Sequence, residues 1–220
     1  SAAKPRLSAR TFSDYEYLLK QYVRPSLSSI KLAELQPLEV QKLYADLQVR
    51  GLSARTVRYV HAVLSSALKQ AVKWRMVFYN PAAAVELPKQ SRKEMMALSP
   101  EEASQFLAAA TEDRFGMLFI FALATGMRPE EYLALQWKDV DLDRGIATVQ
   151  RTLIWPRKGG GWYFGEPKTA KSRRSIPLPA SVVHSLSKHK RRQAEERLKA
   201  GPKYQNNGLV FATSEGTPIM

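Results

Sequence analysis

Ala124-Thr125-Gly126-Met127-Arg128-Pro129-Glu130-Glu131-Tyr132-Leu133-Ala134-Leu135-Gln136-Trp137-Lys138-Asp139-Val140-Asp141 is the stretch around which the rest of the chain organises itself. Just upstream, Phe115 to Met127 form an uncharged, mostly apolar run of 13 residues. That is short of the roughly 20 a membrane helix needs, so it reads as a buried core helix. Gly126 suits the left-handed residue that ends such a helix. Pro129, with φ already set, opens a short second helix holding Tyr132, Leu133 and Leu135. Arg128 thus falls at a helix–helix junction, with Glu131 one turn on. A guanidinium presents a rigid fork that matches phosphate bidentately. Taken alone, an Arg-x-x-Glu on a short helix would be a surface ion pair of little consequence.

Working outward toward the C-terminal side, Asp139, Asp141 and Asp143 give way to alternation. Ile146, Thr148, Gln150, Thr152 and Ile154 predict a strand, Gly159 to Gly161 turn it, and later segments return to make a small antiparallel sheet. Ser181 is placed to cap a helix over Val182, Val183 and Leu186 that ends in the charged run Lys188 to Lys199, and Leu209-Val210-Phe211 reads as a short buried strand. Toward the N-terminal side, Ser99-Pro100-Glu101-Glu102 is a strong helix start, and Pro88 to Lys93 is a polar linker. Ahead of the linker three helices are expected. The first, with a Thr11/Asp14 capping box, carries Tyr15, Leu18, Leu19, Tyr22 and Val23 and is stopped by Pro25. The second runs from Pro37 to Gly51. The third, long one is capped by Ser53 and runs through Val57, Val60, Leu64 and Leu68 to about Arg75, with Arg55, Arg58, Lys69 and Lys73 on its exposed side. The expected organisation is mainly α and multi-domain: an all-α domain over 1–90, then an α+β domain over 91–220 with a small antiparallel sheet.

The 220 residues carry 34 Lys plus Arg against 20 Asp plus Glu, a net charge of +14, which points to a polyanionic partner. The charge is segmented: residues 1–93 sum to +10, 94–147 to −6 and 148–220 to +10. Two basic regions therefore flank an acidic one that spends its charges elsewhere. The absence of cysteine excludes disulfide frameworks, thiolate zinc sites and cysteine nucleophiles, and three histidines give a metal site no support. No Gly-Lys-Ser or Gly-Lys-Thr follows the glycine run, so nucleotide hydrolysis has none either. No secretory signal opens the chain, Ser1-Ala2-Ala3 reads as a cloning remnant, and a cytoplasmic protein with no membrane association is expected.

The 124–141 stretch resembles the first signature block of the tyrosine recombinases, the phage integrase family: small-Thr-Gly-apolar-Arg, an acidic residue three positions on, then a Leu-rich helix and Trp before an Asp-containing turn. Ser53 to Ala71 with Asn80-Pro81 resembles the family's core-binding domain. Pro167-Lys168-Thr169 through Arg174 to Pro177 resembles its β-hairpin lysine block. The resemblance implies a site-specific DNA recombinase or integrase of a phage or other mobile element, which cleaves and rejoins strands through a 3′-phosphotyrosyl intermediate with no metal or other cofactor. It implies Arg128 and Lys168 as catalytic residues, Lys168 protonating the leaving 5′ oxygen, and Glu131 orienting Arg128 from behind. It also implies a clamp of two domains around the duplex. Ser53, Arg55, Thr56, Arg58, Tyr59, Lys69 and Lys73 from the long helix, and Lys171, Arg173 and Arg174 beside Lys168, are the expected DNA contacts, most of them to phosphate. The helix opening at Pro129 is expected to aim its N-terminus at the same anion.

The family also needs a His-x-x-Arg block, a second His or Trp and a nucleophilic tyrosine downstream, and the catalytic domain reads as truncated before them. His189-Lys190-Arg191-Arg192 fits His-x-x-Arg literally but precedes Leu209-Val210-Phe211, whereas the family's block follows the corresponding segment, so it reads as part of a solvated basic helix. Tyr15, Tyr22, Tyr44 and Tyr59 read as core or groove residues, and Tyr132 belongs to the Arg128 block. The chain is accordingly expected to bind double-stranded DNA without cutting it and to be a monomer in solution, while the intact recombinase forms a tetramer on DNA. A non-catalytic DNA-binding or architectural protein is the alternative; it explains the charge but not Thr125-Gly126-Met127-Arg128 with Glu131.

Overall fold

The computed structural model describes residues 7–91, 94–111, 113–156, 160–167 and 172–220. The chain divides into two compact units, Ser1–Met95 and Met96–Met220.

The first unit is all helical. Helix α1, Ala9–Leu18, is capped by Ser8, whose Oγ accepts the Thr11 N–H at 3.2 Å, so the start lies three residues ahead of the Thr11/Asp14 box that the spacing suggests. Pro25 does not end the helical path. The Arg24 N–H reaches back five residues to the Leu19 carbonyl, opening a wide π turn over Leu19–Val23. Pro25 then sits in the first turn of α2, Arg24–Leu27, where its missing N–H is tolerated. Helix α3, Pro37–Val49, starts with Glu39 accepting the Gln36 N–H at 3.0 Å and ends before Gly51, whose φ of +83° needs glycine. Helix α4, Ala54–Lys73, is capped by Ser53 as its sequence suggests, and stops two residues short of Arg75. Val40, Leu43, Tyr44 and Leu47 of α3 meet Val57, Val60, Leu64 and Leu68 of α4 in one core. Burial of each such aliphatic chain contributes about 1.5–3 kcal/mol. Asn80 locks the return, donating to Ser65 Oγ at 2.9 Å and accepting the Ala82 N–H at 3.0 Å.

The second unit opens with α5, Pro100–Thr111, under the reciprocal Ser99/Glu102 capping box. Helix α6, Gly116–Thr125, follows after Asp113 accepts the Phe115 N–H, and it crosses α5 so closely that a Cβ at Gly116 would stand 1.9 Å from the Ala110 carbonyl oxygen. Gly126, left-handed at φ +59°, ends it, and α7, Pro129–Tyr132, is a single turn. Strands β1 (Val140–Asp141), β2 (Ile146–Val149) and β5 (Arg174–Pro177) form an antiparallel sheet in the order β1-β2-β5, with Val149 opposite Arg174. Strands β3 (Thr152–Ile154) and β4 (Tyr163–Gly165) form a separate hairpin. The continuous alternation from Ile146 to Ile154 is therefore broken at Gln150-Arg151 and shared between two sheets. Helix α8, Ala180–Ala200, begins after Pro179, which places Ser181 inside its first turn rather than at the cap. Leu209-Val210-Phe211 is buried as expected but is no strand. It crosses by one bridge, Gln136 to Leu209, with the Val210 N–H on the Leu135 carbonyl at 2.8 Å. Phe121, Leu135, Ala147, Val149, Leu186, Val210 and Phe211 centre the core. The fold is mainly α, an all-helical unit followed by an α+β unit with a small antiparallel sheet.

Candidate active site and nucleic-acid interface

Arg128 leaves α6 in an extended conformation, φ −71° and ψ 150°, between the left-handed Gly126 and the proline that opens α7. Its backbone N–H donates to Glu131 Oε2 at 3.0 Å and its Nη1 to Oε1 at 3.1 Å. The Glu131 side chain is only 2% exposed, whereas that of Arg128 is 64% exposed. A second guanidinium completes the arrangement: Arg174 on β5 donates Nη2 to Oε2 at 2.8 Å and Nη1 to Oε1 at 3.1 Å, with Nη1 also on the Ser172 carbonyl at 3.2 Å. Burial alone would push the Glu131 carboxyl up. The hydrogen bonds from Arg174, then from the Arg128 backbone and guanidinium, outweigh it and hold the group at about 2. Glu131 also holds the Arg174 guanidinium above its ordinary value. The Arg128 N–H is consumed by Glu131, Pro129 has none, and the Glu131 N–H bonds back to the Arg128 carbonyl. Two of the N–H groups at the start of this one-turn helix are thus engaged within the turn itself.

Arg174, expected among the DNA contacts, is half-buried and turned onto Glu131. Arg173 lies 3.7 Å from Glu166 as a surface pair, 58% and 88% exposed. Lys168 and Lys171 lie outside the described residues. Sequence reasoning missed a further tie: Arg151, at the β2–β3 junction, forks the buried Asp139 carboxylate, with Nη2 on Oδ1 at 3.2 Å, and lies 5.8 Å from the Phe164 ring centre. It anchors the β3–β4 hairpin that leads to Pro167. Asp139 carried a signal as part of the 124–141 stretch; Arg151 carried none.

On α4, Arg55, Tyr59, Lys69 and Lys73 are exposed and share one face with Ala62 and Ser66, which are small and also exposed. The Ser53 and Thr56 hydroxyls are 2.9 Å apart and close the cap between them. Arg58 departs from the expected outward stripe. It is half-buried, and its Nε donates to the Pro88 carbonyl at 2.8 Å. His61, half-buried, has its Nδ1 3.0 Å from Tyr44 Oη; burial and then the Arg58 and Lys69 charges push its pKa down.

His189, expected in a solvated helix, is half-buried with its ring tilted against Trp137 and Phe211. Its Nε2 lies 2.7 Å from the Val210 carbonyl, which can only accept, and its Nδ1 lies 3.2 Å from Arg192 Nη2, which can only donate. Those two neighbours select the neutral Nε2–H tautomer, and burial pushes the pKa down. Among the described residues no group of three or more acidic or His side chains is placed to hold a metal, and no helix is long and apolar enough to cross a membrane.

Comparison with known proteins places the chain by family and by fold. The model of the phage integrase family matches residues 96–220, and that of the phage integrase N-terminal SAM-like domain matches residues 2–48. A tyrosine recombinase XerC-like protein of Caldanaerobacter subterraneus subsp. tengcongensis is 31% identical over 95% of the chain and 58% of its own length. An integrase of Streptomyces ambofaciens is 33% identical over 96% of the chain and 54% of its own length. The chain thus spans a little over half the length of these curated relatives. Among solved structures, the Tn1549 transposon integrase in complex with transposon right end DNA superposes with a TM-score of 0.84 at 20% identity, covering 99% of this chain and 71% of that one.

Proposed function

This chain belongs to the phage integrase family of tyrosine recombinases, and from that premise we propose that it grips duplex DNA for a site-specific recombinase that cuts and rejoins strands through a 3′-phosphotyrosyl intermediate. The observation that carries the reading is Arg128, an outward guanidinium held from behind by a buried, ionised Glu131. As a tyrosine oxygen attacks phosphorus and the bond to the 5′ oxygen breaks, negative charge gathers on the non-bridging oxygens, and a fixed cation aimed there lowers the barrier. Arg128 fills that role, Glu131 orients it, and Lys168 gives its proton to the departing 5′ oxygen. No metal or cofactor takes part. The helical unit serves as the core-binding domain, with Arg55, Tyr59, Lys69 and Lys73 on the duplex.

Within these 220 residues the role is binding without cleavage. Tyr44 is buried with its hydroxyl on His61, and Tyr132 packs edge-on against Phe211. Burial withholds the Tyr44 hydroxyl from a phosphate. The chain alone is a monomer, and the whole recombinase acts as a tetramer on DNA in the cytoplasm. The test is a mobility-shift titration with a suicide DNA substrate, run for the chain and for the full reading frame, each also as Arg128→Ala. The expected result is that both bind, that only the full product becomes covalently attached, and that Arg128→Ala abolishes attachment. Covalent adducts from the 220-residue chain, or binding by the full product without attachment at any site, overturn the reading.

A further inference from the structure

We infer that Arg174 is a positioning residue: acting through Glu131, it turns the Arg128 guanidinium outward to where a phosphate is held. The inference rests on the reading of Arg128 as the phosphate-holding residue. A carboxylate offers about four lone-pair sites, and Glu131 receives four donated hydrogen bonds, two of them from Arg174 and one each from the Arg128 backbone and Nη1. Arg174 takes the fork, one nitrogen on each oxygen, and is pinned in place by its bond to the Ser172 carbonyl. Among the described residues Arg128 is left a single side-chain hydrogen bond, through Nη1, and most of its side chain is exposed. Without the second arginine, Arg128 and Glu131 would close into a fork of their own and neutralise one another. With it, two cations surround one buried anion, and the surplus charge resides on the outer arginine.

Arg174 itself is poorly placed to hold a phosphate, since both its terminal nitrogens are committed and its side chain is only 33% exposed. The charged groups facing the Glu131 carboxylate among the described residues are Arg128 and Arg174. Strand β3, which packs on α7, brings Thr152, Leu153 and Ile154, none of which titrates in the ordinary range. The cluster's response to pH is therefore that of Glu131 between two guanidiniums.

Two measurements on the 220-residue chain test this. The first follows the Glu131 carboxyl by NMR during acid titration, together with the Arg128 guanidinium signals, in the wild type and in Arg174→Ala. The expected outcome is that rotation of the Arg128 guanidinium slows as it closes onto Glu131, while the Glu131 midpoint rises from about 2 and stays below the ordinary carboxylate range because Arg128 replaces part of the lost bonding. A midpoint that does not move from its wild-type position, or an Arg128 that keeps its mobility, overturns the inference with or without DNA. The second is a double-mutant cycle on duplex DNA affinity with Arg128→Ala, Arg174→Ala and both. Arg174→Ala should weaken binding about tenfold in the wild-type background and leave it unchanged when Arg128 is already gone, because coupled residues are not additive. Losses that multiply would make Arg174 a phosphate contact in its own right and sink the proposal. Should Arg174→Ala fail to fold, Arg174→Lys, which keeps the charge and loses the fork, goes through the same cycle, with a smaller loss expected that again vanishes without Arg128. A chain whose DNA affinity ignores Arg128→Ala would instead remove the reading of Arg128 as a phosphate-holding residue in the bound complex, leaving the NMR titration to decide the role of Arg174.

Discussion

Glu131 ties residues far apart in sequence, and its protonation is a stability switch. Its folded value of about 2 lies below the ordinary 4.5, so the stabilisation is complete above the unfolded value and is lost as pH falls from about 5 toward 2. The loss amounts to about 3 kcal/mol for this buried group. Burial pushes the folded value of His189 down as well, so its contribution is present above the unfolded value and begins to fall away below about pH 6.5, a separate and higher window. Denaturant unfolding of residues 96–220 from pH 7 to pH 2.5 should show both declines, and Glu131→Gln should flatten the lower one alone while reducing stability at pH 7. The Arg128–Glu131 pair was legible because three residues on a helical turn are neighbours whatever the fold. Arg174 was not. Among Lys171, Ser172, Arg173 and Arg174, the one that faces inward depends on the register that sets Arg174 opposite Val149, and that register is a property of the sheet.

At the level of the helix, periodicity identified α4 and its Ser53 cap, but not which of its cations stay outside. Arg58 lies on the flank of the exposed face and bends to the Pro88 carbonyl, a partner 30 residues away that no helical wheel contains. Arg58→Ala should therefore cost about 1 kcal/mol of stability and leave the salt dependence of DNA binding unchanged. Lys69→Ala should leave stability alone and reduce that slope by about 0.9. The comparison is one salt titration and one melt for each variant. Two other failures of the sequence reading share a cause: the π turn ahead of Pro25 and the division of Ile146–Ile154 between two sheets. In each, the local pattern was read correctly and the backbone around it changed course to satisfy its own hydrogen bonds. Gly116 is the converse case, a residue with no local signal and a strict tertiary demand. Gly116→Ala forces α5 and α6 apart at the Ala110 carbonyl and should lower the stability of the second unit by about 2–3 kcal/mol in a thermal melt.

Across the whole chain, the charge is segmented as +10, −6 and +10, and several of the middle segment's acids have structural partners. Glu102 and Asp113 accept backbone N–H groups at the starts of α5 and α6, Asp141 accepts that of Arg144, and Glu131 and Asp139 hold guanidiniums. Glu131 and Asp139 are withdrawn from solvent against their guanidiniums, whereas Glu102, Asp113 and Asp141 cap exposed turns at the surface. Because the two units have separate cores, one built from residues between Tyr15 and Leu87 and the other from residues between Phe115 and Ile219, each basic region belongs to a unit with its own means of folding. Residues 1–95 expressed alone should give a helical, cooperatively melting domain that binds duplex DNA. Plotted as log affinity against log salt, the whole chain should be steeper than this domain by about 2 or more, the increment of at least two further phosphates neutralised by residues 148–220. Coincident slopes would assign all phosphate contact to the helical unit and leave the basic charge of the second unit without a role in DNA binding, Arg128 included.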